Sequence, residues 1–170
     1  MDDRLVVARQ LGRAPRAFRR VAVRCPYGLP AVTEQEPYDA AGEPFPTTYY
    51  VTCSWLVAAI SRLEATGGVE RWTRAAAENA ELGASLADAN AEQREIRRRL
   101  AGGETGRDGG ASLVAGIGGS RGSGSLKCLH AHAAFALARP GYVLGEGIVS
   151  ELDPLWPPDA CCSELLAREP

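Results

Sequence analysis

A small single domain of the α/β or α+β class, with a few strands interleaved among helices, is what this sequence predicts. Three observations carry the expectation. Two short runs, Val21 to Val23 and Thr47 to Cys53, are rich in the β-branched and aromatic residues that suit strands. The second passes directly into Leu56, Ala59, Ile60 and Leu63, whose spacing places them on one helical face. Finally, 170 residues with 45% hydrophobic content are enough to bury one ordinary core.

The elements follow in order. Residues 1–19 read as a basic N-terminal arm, with Arg4, Arg9, Arg13, Arg16 and Arg19 at short intervals and part of it helical. The globular domain is expected over 20–155. After the Val21–Val23 strand, Pro26, Gly28 and Pro30 impose a rigid turn. Residues 31–46 are polar and Pro-rich and read as a long loop. A strand over 47–53 leads into a helix from Ser54, which Gly67 and Gly68 end because glycine readily supplies a left-handed cap. Residues 69–101 read as two helices broken near Leu82 and Gly83, the second mostly solvated because its apolar stripe is thin. A polar linker at 102–110, a strand over 112–115 and a glycine-rich loop over 116–125 follow. A helix over 126–138 ends at Pro140 and Gly141, and another runs from about residue 144 to 152. The tail, 156–170, is expected to be irregular.

Charge and segment lengths limit the functions to consider. The formal net charge is -2, which gives no general affinity for polyanions. Residues 1–24 do carry seven arginines against Asp2 and Asp3, and such an arm contacts phosphates without reading sequence. No aromatic platform stands beside it, so nucleic acid is disfavoured as a partner and a solvated or disordered arm is the simpler reading, with a protein partner left open. No apolar run reaches the roughly 18 residues of a spanning helix, and no export signal is visible at the start. These features point to the cytoplasm, where the five cysteines, Cys25, Cys53, Cys128, Cys161 and Cys162, would be kept reduced.

The densest chemistry lies in Lys127 to His132, which holds Cys128 and both histidines, His130 and His132. On a helix, Cys128 and His132 share a face while His130 points elsewhere. A thiolate and an imidazole can give two of the four ligands zinc prefers, with Cys25 and Cys53, each just after a strand, supplying others. Cys161 or Cys162 would complete or replace one. The candidate metal ligands are therefore Cys25, Cys53, Cys128, His130 and His132, with zinc ahead of an iron–sulfur cluster. Spacing alone favours a plainer reading, in which the cysteines pack as small apolar groups and His132 is hydrogen-bonded. In a catalytic alternative, Cys128 in the first turn of its helix is a nucleophile and His132 its base. The glycine-rich loop adds an anion site, with Gly118, Gly119, Arg121 and Lys127 as the contacts. It matches neither the phosphate-binding nor the dinucleotide-binding fingerprint, and a plain flexible loop is the simpler reading.

Several blocks together resemble the bacterial domain-of-unknown-function family 501. They are Arg24 to Pro30, Pro44 to Cys53, Gly116 to Gly119, and Lys127 to His132. The likeness runs from about Val21 to Gly141. It implies that Cys25, Cys53, Cys128, His130 and His132 belong to the family's motif blocks, which strengthens the expectation of a shared Cys/His site. It implies no reaction. Members' genes often neighbour those of a septum-forming coiled-coil protein and an exopolyphosphatase, which is an association and not a mechanism; an adaptor that uses the basic arm or the exposed helix over 84–101, linked to cell division, is a further alternative.

Overall fold

The structure, a computed structural model, describes residues 2–122 and 124–162. Among these it forms a small α+β domain of six α-helices and a three-stranded antiparallel sheet. The order is α1 (Asp3–Leu11), β1 (Phe18–Arg24), β2 (Pro30–Gln35), β3 (Tyr49–Val51), α2 (Ser54–Ala65), α3 (Gly68–Glu78), α4 (Ala80–Ala101), α5 (Leu129–Ala138) and α6 (Val143–Ser150). Two short 3-10 turns, Ala111–Val114 and Ile117–Gly119, lie between α4 and α5.

The sheet order is β1-β2-β3, and the central strand is the one the sequence hides. Residues 31–46, expected as a loop, begin with most of β2, which is buried along its whole length. Its register is fixed on both sides, with Val21 opposite Thr33, and Val32 opposite Val51. Thr33, Glu34 and Gln35 are tolerated there because each finds a partner. Arg20 donates twice to the Glu34 carboxylate, at 2.6 and 3.1 Å, and Gln35 Nε2 donates to Thr33 Oγ1 at 2.6 Å. Strand β3 is shorter than expected, because Thr52 and Cys53 turn the chain into α2.

The basic arm packs against the sheet. Val6 and Val7 of α1 are buried, Gln10 reaches the Pro30 carbonyl, and Arg24 makes two bonds to Asp3. Phe18 and Arg19 already belong to β1.

Helix α5 is the centre of the core. Seven of its ten residues are buried, and it meets β1, β2, β3, α2 and α6. A helix so enclosed needs no polar face, which is why its alanines can run almost unbroken. Phe135 anchors it, with edge-to-face contacts to Tyr49 of β3 at 5.5 Å and to Tyr142 at 5.8 Å between centroids.

Two helical expectations change. The break between α3 and α4 falls at Asn79, whose side chain caps α4 by accepting from the Leu82 N–H, and Gly83 continues the helix. Nor is α4 mostly solvated: Asn90, Gln93 and Arg97 are buried with Leu86 and Ile96. These polar residues recur at three- and four-residue intervals and form a ladder. Asn90 Oδ1 accepts from Ile117 N–H, Gln93 donates to the Gly116 carbonyl, and Arg97 Nε donates to the Ser112 carbonyl. They satisfy backbone groups of the segment that follows, where the strand expected over 112–115 is replaced by the 3-10 turn Ala111–Val114 and an extended Ala115.

Candidate functional site: a corner of four cysteines

The turn after β1 is tied by hydrogen bonds from Cys25 N to the Leu29 carbonyl and from Gly28 N to the Cys25 carbonyl. Gly28 has φ 84°, the left-handed conformation that favours glycine. This turn holds Cys25 at the edge of the sheet. Cys53 is the N-cap residue of α2, a short step beyond β3. Both sulfurs are buried, as are Cys161 and Cys162.

The end of the described chain returns to this corner. Trp55 Nε1 donates to the Pro154 carbonyl at 3.1 Å, and the Tyr27 hydroxyl donates to the Pro157 carbonyl. The path delivers the adjacent pair Cys161 and Cys162. Cys25 Sγ lies 3.9 Å from Cys161 Sγ, and Cys53 Sγ lies 3.5 Å from Cys162 Sγ. No disulfide joins the five cysteines. The Cys53 thiol, the Ser54 hydroxyl, the Trp55 backbone N–H and the Cys161 side chain all favour a thiolate on Cys162 and lower its pKa. The same hydrogen bond to Cys162, together with burial, raises that of Cys53. The four sulfurs thus form one string, in the order Cys25, Cys161, Cys162, Cys53. Among the described residues, no group of three or more His, Cys, Asp or Glu side chains is arranged so that it could hold a metal ion.

The Lys127–His132 segment behaves differently. Cys128 is the N-cap residue of α5, just outside its first turn, and makes no side-chain capping bond. Burial, the largest effect, raises its pKa. His130 turns outward to α2, with Nδ1 3.1 Å from Glu64 Oε1 and Nε2 3.3 Å from both Ser61 Oγ and the Val57 carbonyl. His132 turns inward. Its Nδ1 is 2.7 Å from the Tyr142 hydroxyl, its Nε2 is buried without a partner among the described residues, and burial lowers its pKa to about 4. No hydrogen bond joins Cys128 to either imidazole among the described residues, so the expected nucleophile–base contact is not made. Cys128 and His130 do border one cavity of about 260 Å³, together with Thr47, Tyr49 and Val57.

The predicted anion residues come together. Gly118, Gly119, Arg121 and Lys127 line one cavity of about 270 Å³ with Pro44, Pro46, Asp108 and Ser112. Sequence reasoning missed Arg97 behind this wall, because one arginine in a helical Arg97–Arg99 run reads as solvated.

Fold and site define a small α+β protein with a buried cysteine corner. The chain belongs to the family described as "Protein of unknown function (DUF501)", whose model matches residues 21–150. Cys25, Cys53, Cys128 and both histidines fall inside that match, while Cys161 and Cys162 lie beyond it. No curated protein and no solved structure matches the chain.

Proposed function

We propose that this is a metal-thiolate protein, with Cys25, Cys53, Cys161 and Cys162 as ligands and zinc as the ion. The observation that carries the reading is the pair of sulfur separations, 3.5 and 3.9 Å. Both are far longer than a disulfide bond of about 2.05 Å. They bracket the edge of a tetrahedron with Zn–S bonds of about 2.3 Å, which is about 3.8 Å. Rotation of the Cys161 and Cys162 side chains would fold the string of sulfurs around one ion. Four thiolates can also hold iron, alone or in a cluster, so iron ranks second.

Four protein ligands close a tetrahedral centre, so the role is structural. The ion would staple residues 152–162 to the turn after β1 and to the start of α2. A reducing compartment suits such thiolates, which supports a cytoplasmic location. Among the described residues no helix is long and apolar enough to cross a membrane.

The test is elemental analysis of the purified protein beside Cys53→Ser and Cys161→Ser variants. About one zinc per chain, lost in both variants, is the expected outcome. Metal-free, folded protein whose peptide map shows Cys25–Cys161 and Cys53–Cys162 disulfides, or four alkylatable thiols, would sink the reading.

A further inference from the structure

Arg97 is wholly buried, at 0% exposure. Its Nε donates to the Ser112 carbonyl at 3.0 Å, and both terminal nitrogens lack a hydrogen-bond partner among the described residues. A guanidinium removed from water is costly unless it is paired. The acid that faces it, Asp108, is already engaged, accepting from the Tyr38 hydroxyl, Gly110 N–H and Ser112 N–H. Asp108 and Ser112 both belong to the wall of the 270 Å³ cavity. Arg121 and Lys127, which also line that cavity, are exposed and make no ion pair among the described residues. The charged groups of its wall are thus Arg121 and Lys127 against Asp108, with Arg97 behind Ser112.

The shape of the cavity is set by glycine. Gly118 and Gly119 have φ of 70° and 76°. A Cβ on Gly119 would stand 3.2 Å from Pro46 Cβ, tightening the cavity between the two chain segments. Pro44, Pro46, Ala111 and Ala115 give it an apolar side.

We infer that this cavity binds the phosphate group of a small organic phosphate. Arg121 and Lys127 contact the oxyanion. The charge of Arg97 attracts it through the Ser112 wall, where low polarity weakens screening. The proline and alanine side receives a short apolar body. The site is independent of the cysteine corner and stands whether or not that corner holds a metal.

Isothermal titration at fixed ionic strength, with inorganic phosphate and phenyl phosphate as probes, tests the inference on the full chain. Both should bind saturably, phenyl phosphate more tightly, and an Arg121→Ala/Lys127→Ala double variant should bind at least about tenfold more weakly. These two side chains are exposed, so the variant keeps the fold, and circular dichroism checks that it does. The absence of saturable binding, or equal binding by the double variant, would overturn the site. Equal affinity for the two probes would overturn its apolar half. An Arg97→Lys variant, which retains the charge, should bind more tightly than Arg97→Met; equal affinities in two folded variants would remove Arg97 from the site.

Discussion

The two cysteine-bearing regions of this protein invert the impression their sequences give. Lys127 to His132 packs a thiol and two imidazoles into six residues, yet the fold sends them three ways. Cys128 sits at the N-cap position of α5, His130 faces Glu64 on α2, and His132 faces Tyr142 in the core. Cys25, Cys53 and the Cys161–Cys162 pair are distant in sequence, yet their sulfurs meet. A helix turns each successive side chain by about 100°, so proximity along it disperses groups, whereas strand and helix ends converge at an edge. Density of reactive residues in sequence is therefore a poor guide to convergence here.

The sharpest way to break this contrast is substitution at the corner. Cys53→Ser should remove the proposed zinc and cost about 4 kcal/mol or more of folding free energy, measured by urea unfolding with and without chelator. Loss of less than about 1 kcal/mol would make the corner an ordinary packed cluster.

Acid should act next, through His132. Burial pushes its pKa in the folded protein down to about 4, below the ordinary histidine value of about 6.5. The unfolded chain therefore binds the proton first. The stability that comes from keeping His132 neutral is fully present above the unfolded pKa and declines as pH falls from about 6.5 towards 4, by up to about 3 kcal/mol. Urea unfolding at pH 7 and pH 5 should show the decline in the native protein and a smaller one in His132→Gln. Equal slopes would mean that other groups govern the acid limb.

Tyr142→Phe is expected to have a smaller effect. It removes the Tyr142 hydroxyl from His132 Nδ1 and should cost about 1–3 kcal/mol in thermal or urea unfolding, with metal content unchanged. The smallest effect is expected at Cys128→Ser, below about 1 kcal/mol and with full metal retention, because this half-buried thiol lies outside the corner and a serine hydroxyl can take its place beside the backbone of Ala131 and His130. Loss of metal from Cys128→Ser would reverse the comparison and return the site to the α5 segment.

Much of the fold was legible where one physical effect dominates. The Leu56–Leu63 periodicity, the glycine pair at 67–68 and the β-branched run before Cys53 each specify local structure without help from distant residues. Strand β2 and the inner face of α4 were not legible, for a shared reason. Their buried residues include Glu34, Gln35, Asn90, Gln93 and Arg97, which read as solvated until their partners are known. Burial of a polar group depends on a second group brought to it, and that information is not local.

The same division holds for the candidate sites. Sequence alone determined that Cys25 and Cys53 follow strands, that the glycine-rich loop adjoins Arg121 and Lys127, and that the chain has the motif blocks of its family. Tertiary structure alone decided that Cys161 and Cys162 meet the first two sulfurs, that the histidines point apart, and that Arg97 lies behind the cavity wall. Chain direction and side-chain chemistry are written residue by residue, but convergence of groups more than a hundred residues apart is fixed only when the core packs around α5.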